Sequence, residues 1–229
     1  MEFIAEGIKN AFFLIIGLDR EMVAIVFLSL KVSTLATTIA TIISVPIAFT
    51  IALREFTGKR FLITLINTLM SLPTVVIGLL LYSFLSRRGP LGFTNLLYTP
   101  WAMVIGQAIL AFPLITGFSL SAIRGADPRI KEAVLALGGG DMRVAIGIGL
   151  EERFALLAAI AAGFGRVFSE VGISMMVGGN IRWYTRNITT AIALETGKGE
   201  FALGIALGII LLLTAFVINF LLRYLEGKR

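Results

Sequence analysis

The chain has 229 residues, of which 57% are hydrophobic and 15% charged, with a formal net charge of +6. Soluble globular domains hold roughly 45–50% apolar and about 25% charged residues, so this chain has too little charge to coat a water-soluble sphere. Soluble globular, disordered and coiled-coil classes are excluded, leaving an all-α, polytopic integral membrane protein in a lipid bilayer. His and Cys are both absent, which excludes Ser-His-Asp hydrolysis, histidine-ligated zinc, thiolate nucleophiles and iron–sulfur clusters. No catalytic residue, metal ligand or cofactor is therefore expected on this chain. The surplus cations fit membrane-protein loops, and no basic run or base-stacking motif points to nucleic acid.

In chain order, Phe3–Ile16 comes first. Phe3, Ile4, Ile8, Ala11, Phe12 and Ile15 recur at helical spacing, with Glu2, Glu6, Lys9 and Asn10 largely elsewhere. That pattern predicts an amphipathic helix lying in the membrane interface within residues 1–20, with a short sixth span as the alternative. A signal peptide is not expected, because the n-region is acidic and no small-residue cleavage site follows. Five long apolar stretches come next: Met22–Leu53, Phe61–Leu85, Tyr98–Ile123, Phe154–Val177 and Phe201–Leu222. Each meets the length of about 20 residues that spans a bilayer as helix, so about five transmembrane helices are expected in one domain over 1–229. The first stretch is about 48 Å long at 1.5 Å per residue. It must tilt, bend near Pro46, or begin as an interfacial segment around Lys31. Pro73 and Pro113 are expected kinks in the second and third stretches.

Loop charges set the sidedness. Placing the N-terminus outside makes Arg54–Arg60, Arg124–Arg153 and the tail after Leu222 cytoplasmic, with 11 Lys and Arg against 7 on the other side. This satisfies the positive-inside rule. Tyr98, Trp101, Trp183 and Tyr184 would then anchor the outer interface.

The loop 125–153 is the most informative segment. Asp127-Pro128 reads as a helix start, with Asp as N-cap and Pro at the first helical position. The helix is predicted over Pro128–Leu137, with Ile130, Val134 and Leu137 on one stripe, and Gly138-Gly139-Gly140 ends it. A short amphipathic helix held between two spans is a natural knob for a partner's groove.

Glu132-Ala133-Val134-x3-Gly138-x9-Ile148-x-Leu150 resembles the cytoplasmic signature of permease subunits of binding-protein-dependent ABC importers, E-A-A-x3-G-x9-I-x-L-P. Glu132, Ala133, Gly138, Ile148 and Leu150 match; Val134 replaces the second Ala, and Glu151 stands at the usual Pro. Pro73-Thr74-Val75-Val76-Ile77-Gly78 resembles the second span of oxyanion importers. The skeleton Glu170-x-Gly172-x6-Gly179-Asn180 is similar to the sulfate, molybdate and tungstate permeases. The run Thr185-Arg186-x2-Thr189-Thr190-Ala191-Ile192, with Glu195-Thr196-x-Lys198-Gly199-Glu200, is most similar to the tungstate type.

The resemblance implies a homodimer of permeases in a bacterial or archaeal inner membrane. Two cytoplasmic ABC ATPases would dock on the loop helices and bind ATP and Mg, and an extracytoplasmic oxyanion-binding protein would deliver substrate. Glu132, Ala133, Gly138, Ile148 and Leu150 are the implied ATPase-coupling residues. Arg166, Ser169, Glu170, Gly172, Gly179 and Asn180 are the candidate pathway or gate residues. No G-x4-G-K-[ST] phosphate loop occurs; Gly197-Lys198-Gly199 is the nearest approach and lacks the hydroxyl residue.

Arg166 and Glu170, at i and i+4 in the fourth stretch, are expected on one helical face as an ion pair, because intramembrane charges are costly unless paired. The segment Gly178–Glu200 is expected as an outer loop. Its Asn180, Arg182, Thr185, Arg186, Thr189 and Thr190 suit either an oxyanion or a docking face for the binding protein. Gly204-x3-Gly208 and the small residues from Ala155 to Gly165 are expected to permit close helix packing. A secondary transporter would show internal repeats and several intramembrane ionisable groups. A channel would show a filter or charged ring.

Overall fold

The computed structural model describes residues 2–226, with ten α-helices and no strand among them. The helices are α1 (Glu2–Ile16), α2 (Arg20–Leu53), α3 (Lys59–Met70), α4 (Thr74–Leu85), α5 (Pro100–Gly125), α6 (Pro128–Ala136), α7 (Asp141–Glu151), α8 (Arg153–Phe168), α9 (Ile188–Lys198) and α10 (Phe201–Glu226). The predicted stripe residues Phe3 and Ile4 and the tail cations Arg223, Lys228 and Arg229 have side chains outside the described set.

The central pair is α2 against α5. Asp19 starts α2, its carboxylate accepting from the Met22 N–H at 2.9 Å, and the helix runs 34 residues without a break. The expected bend at Pro46 and interfacial start near Lys31 do not interrupt it. The Thr50 hydroxyl donates to the Pro46 carbonyl at 2.8 Å, one turn beyond the Ile42 carbonyl that lacks a Pro46 N–H. Val32, Ala36, Ala40 and Ser44 line its buried face, and side chains this small let α5 approach closely. Pro113 is likewise carried within α5. The hydroxyls of Ser44 and Thr116 both donate to the neighbouring Phe112 carbonyl, at 3.0 and 2.7 Å, and the helix continues.

Pro73 behaves differently. Here the second stretch breaks into α3 and α4 with a 96° bend, and Pro73 stands in extended backbone as the cap of α4. The fourth stretch also breaks. Helix α8 stops at Phe168, and a π-turn follows at Ser174–Gly178. Among the described residues, three helices are long and apolar enough to cross a membrane, and α3 with α4 forms a fourth span if taken together. The remaining expected span, Phe154–Val177, corresponds to α8, which at about 24 Å is too short to be counted among them, followed by an irregular segment.

Two further expectations are revised. Gly178–Glu200 is not merely a loop, since it contains α9. The N-terminal stripe is also split: Ala11, Leu14 and Ile15 pack towards α10, whereas Ile8 and Phe12 are exposed. The helix is apolar on both sides, and the face with the small Ala11 is the one that fits closely against a neighbour.

Three apolar clusters hold the molecule. One lies between α2, α4, α5 and the π-turn. A second, at the end carrying Trp183 and Tyr184, joins α1, α2, α9 and α10. A third joins α2, α3, α5, α6 and α7 at the end carrying Arg54–Arg60 and Arg124.

Candidate functional site

The segment 125–153 folds as a helical hairpin, α6–α7. The Asp127 carboxylate accepts from the Arg129 N–H at 2.9 Å and Pro128 occupies the first turn, as the sequence predicts. Helix α6 ends one residue earlier than predicted, with Leu137 as its cap. Gly138 donates to the Leu135 carbonyl at 2.9 Å, and Gly139 donates to Val134 at 2.8 Å. This paired pattern is the Schellman stop. It requires the left-handed φ of +74° at Gly138. Gly139 has a separate requirement: a Cβ there would lie 2.5 Å from Val134 Cγ1.

The five motif residues do not form one surface. Glu132, Ala133 and Gly138 are exposed at the tip. Ile148 is buried with Val144, where Ile130 and Val134 pack over it, and Leu150 is exposed. Of the predicted stripe, Ile130 and Val134 turn inward while Leu137 is 85% exposed. Leu135, Met142 and Ile146 are also exposed large apolar side chains on the hairpin. Below it, Glu55 lies against Lys59 at 2.8 Å, and that hydrogen bond holds its carboxyl below the ordinary carboxylate range.

The second group surrounds the break after α8. Arg166 Nη1 donates to Glu170 Oε2 at 2.8 Å, but the two do not share a helical face. The helix ends at Phe168, and Glu170 lies beyond it. Its other oxygen, Oε1, accepts from the Gly172 N–H at 2.8 Å and the Ile173 N–H at 3.4 Å. One carboxylate thus closes an ion pair and caps the next segment. Glu170 is only 4% exposed, while Arg166 is 41% exposed.

Ser169 is exposed and turns its hydroxyl back to the Gly165 carbonyl at 3.0 Å. At Gly172 a Cβ would sit 3.3 Å from Thr74 Oγ1, so the break in the second stretch meets the break in the fourth. Gly179 has φ +71°, and a Cβ there would lie 2.7 Å from the Tyr98 ring. Asn180, at φ +50°, donates to the Thr190 carbonyl at 3.4 Å. Of the six candidate residues, Arg166 and Ser169 are thus surface, and the other four shape the fold of the segment.

A buried polar network binds this segment to α2 and α5. Ser33 donates to Gln107 at 3.4 Å, and Gln107 donates to Ser174 at 3.3 Å. Asn187 donates to the same Ser174 hydroxyl at 3.0 Å, while its own carbonyl accepts the Thr190 N–H at 2.9 Å to cap α9. Thr189 donates to the Glu170 carbonyl at 2.7 Å. Of the side chains in this group, sequence reasoning singled out Thr189 alone, and for a different role. Gln107 is the chain's only glutamine and sits inside an apolar stretch, where an uncharged amide needs a partner.

The polar side chains of Gly178–Glu200 are largely consumed internally. Thr185, Thr189 and Thr190 are buried. Arg182 donates twice to Glu21, Arg186 donates to the same carboxylate at 3.0 Å, and Lys198 pairs with Glu195 at 3.0 Å. Glu21 also raises the Arg182 guanidinium above its ordinary value, chiefly through the hydrogen bonds. Among the described residues no cluster of three acidic side chains offers a metal site.

Comparison with known proteins extends this picture. Residues 44–229 match the family described as binding-protein-dependent transport system inner membrane component. The tungstate uptake system permease protein TupB of Peptoclostridium acidaminophilum is 42% identical, with all of both chains covered. TupB of Campylobacter jejuni is 38% identical, covering 99% of this chain and 95% of that one. Among solved structures, the inward-facing MetNI methionine ABC transporter shares the fold, with a TM-score of 0.75 at 16% identity over 90% of this chain and 95% of that one. By its family match and its full-length relatives, the chain belongs to the binding-protein-dependent transport system inner membrane components.

Proposed function

We propose that this chain is the membrane permease of an ATP-driven importer for a tetrahedral oxyanion, tungstate. It works as a homodimer with two cytoplasmic ABC ATPases and an extracytoplasmic binding protein. The full-length identity of 42% to a tungstate uptake permease carries the substrate assignment. The chain itself is a transport component, as its relatives are, and a multi-pass protein of the inner membrane.

On this reading residues 1–229 are one permease domain, with 1–20 at the membrane interface and 125–153 as the coupling loop. The hairpin supports the ATPase contact, because its exposed tip combines Glu132 with Leu135, Leu137 and Met142. An apolar patch rimmed by charge suits a partner's groove. Ile148 anchors the hairpin, Leu150 borders it, and Gly138 gives the turn its shape. ATP and Mg belong to the partner ATPase, and its closure would drive the hairpins and, with them, the pathway beside Arg166 and Ser169. Glu170, Gly172, Gly179 and Asn180 hold that pathway segment in shape.

The test is uptake in vesicles carrying the permease, its ATPase and the binding protein, with tungstate, molybdate and sulfate compared. ATP-dependent tungstate uptake is expected. Glu132→Lys reverses a charge at the contact, and Gly138→Val places a β-branched residue at a positive φ. Both variants should insert at near-normal levels yet lose ATPase co-purification. Normal uptake by both would make the hairpin a plain connector, and transport of molybdate or sulfate without tungstate would overturn the substrate.

A further inference from the structure

The helix α3 divides into three sectors. Leu62, Ile63 and Ile66 turn to the protein, where Ile66 is 3% exposed. Met70 belongs to the same side, since a Cβ on Gly117 of α5 would lie 2.6 Å from its sulfur. Phe61 and Leu65 form an exposed apolar sector. The third sector is polar and exposed: Arg60, Thr64, Asn67 and Ser71, at i, i+4, i+7 and i+11. At 3.6 residues per turn these four fall within roughly 60° of one another.

Two exposed faces of opposite polarity on one membrane helix need two different solvents. Hydrocarbon suits Phe61 and Leu65. It does not suit Asn67, whose amide has no hydrogen-bond partner among the described residues and would leave two N–H donors unsatisfied in lipid. The Thr64 hydroxyl bonds to the Arg60 carbonyl at 3.0 Å, so it presents only its lone pairs and methyl. The free donors of the sector are therefore the Asn67 amide, the Ser71 hydroxyl and the Arg60 guanidinium, with no carboxylate among them.

The sector also leads somewhere. Its foot opens into a cleft of about 400 Å³ lined by Lys59, Arg60 and Arg124, with one carboxylate, Glu55, already held by Lys59, so the cleft keeps a surplus of cations. Its head is the break at Ser71–Pro73, beside Thr74 and Gly172. From Arg60 to Ser71 is about 16 Å of helix, roughly half the 30 Å hydrocarbon core.

We infer that Arg60, Asn67 and Ser71 line the water-filled, basic-end half of the anion pathway, forming a ladder of donors that passes an oxyanion from the helix break to the Arg60–Arg124 cleft. The inference rests on the permease reading above. Donors without carboxylates accept an anion and reject cations, and weak, spaced sites let it leave.

The chain contains no cysteine, so single thiols can be read directly. Thr64→Cys, Asn67→Cys, Ser71→Cys, Phe61→Cys and Leu65→Cys are each assembled with the ATPase in vesicles and treated with a membrane-impermeant anionic methanethiosulfonate. A thiol ionises in water and stays protonated and inert in hydrocarbon, so the three polar-sector thiols should react about tenfold faster than the two controls. The negative adduct at Asn67→Cys or Ser71→Cys should abolish uptake, whereas adducts at the controls should not. Equal, slow labelling at all five positions would place the sector in lipid and overturn the inference. So would oxidative cross-linking of Asn67→Cys between two copies together with protection from the reagent, which would make the sector a seam. Uptake by the unsubstituted transporter tests the permease reading separately, since it does not depend on any thiol.

Discussion

Glu170 binds Arg166 through one oxygen and two backbone N–H groups through the other. Losing either partner therefore has unequal effects. Arg166→Ala strands a buried carboxylate, and breaking one side of a buried pair costs about 3–5 kcal/mol. The partial exposure of Arg166 places the effect at or below the lower end of that range. Glu170→Ala removes the cap as well as the pair, whereas Glu170→Gln keeps an acceptor for the Gly172 N–H. We expect thermal midpoints in detergent to fall in the order Gln, then Ala at 170. The Arg166→Ala/Glu170→Gln double variant should lose less than the sum of its singles, by about 0.5–3 kcal/mol. Strictly additive losses would show that the two side chains do not depend on each other.

At the scale of elements, what could be read in advance depended on how local the signal was. Helix α6 was legible because Asp127, Pro128 and Gly138 act within their own turn. The breaks were less so. Pro46, Pro73 and Pro113 look alike in sequence, but only Pro73 breaks its helix, while Thr50, Ser44 and Thr116 bond carbonyls beside the other two. Ser44 is 68 positions from the carbonyl it serves, a distance no spacing rule covers. Helix α9 hid for a similar reason. Its cap, Asn187 with Thr190, was not singled out in the sequence, and its threonines read as oxyanion or docking residues until the fold buried them.

That cap gives a test at this scale. Asn187→Ala removes the cap, worth about 0.5–2 kcal/mol, and takes one of two donors from the buried Ser174 hydroxyl, a hydrogen bond worth about 0.5–1.5 kcal/mol more. Asn187→Asp keeps the cap acceptor but loses the donor to Ser174, so it should fall between. Hydrogen exchange of amides 189–194 should accelerate in that order. An unchanged rate in Asn187→Ala would mean that packing against α10 alone holds α9.

For the whole molecule, composition gave the membrane class and motif spacing gave the family, both of which are properties of the entire chain. The candidate pathway residues were legible as a skeleton but not in role, because their backbone work depends on contacts with Thr74 of α4 and with Tyr98 in the turn before α5. The motif spacing likewise did not show that Ile148 lies in the core while Glu132 and Gly138 are exposed. A chain of this family without a phosphate loop should hydrolyse no ATP when purified alone. With its ATPase it should run as two permeases and two ATPases by light scattering. Robust hydrolysis by the isolated chain would refute the division of labour.

The buried Val144 and Ile148 give the hairpin a mechanical character. They join the cluster containing Ala48, Ile51, Ile66, Leu120 and Ile123, so the tip is bolted to the bases of α2, α3 and α5 rather than hung from a tether. A close-packed joint has little compliance, and displacement of Glu132 would reach three helices at once with almost no lost motion. Slack should therefore be harmful even where no contact is removed. Inserting two glycines after Gly140 would remove no side chain from the hairpin or the pathway but would loosen α6 from the α7 joint, letting ATP turnover continue without matching uptake. Retained stoichiometric uptake in that variant would show that the force enters the membrane by another route.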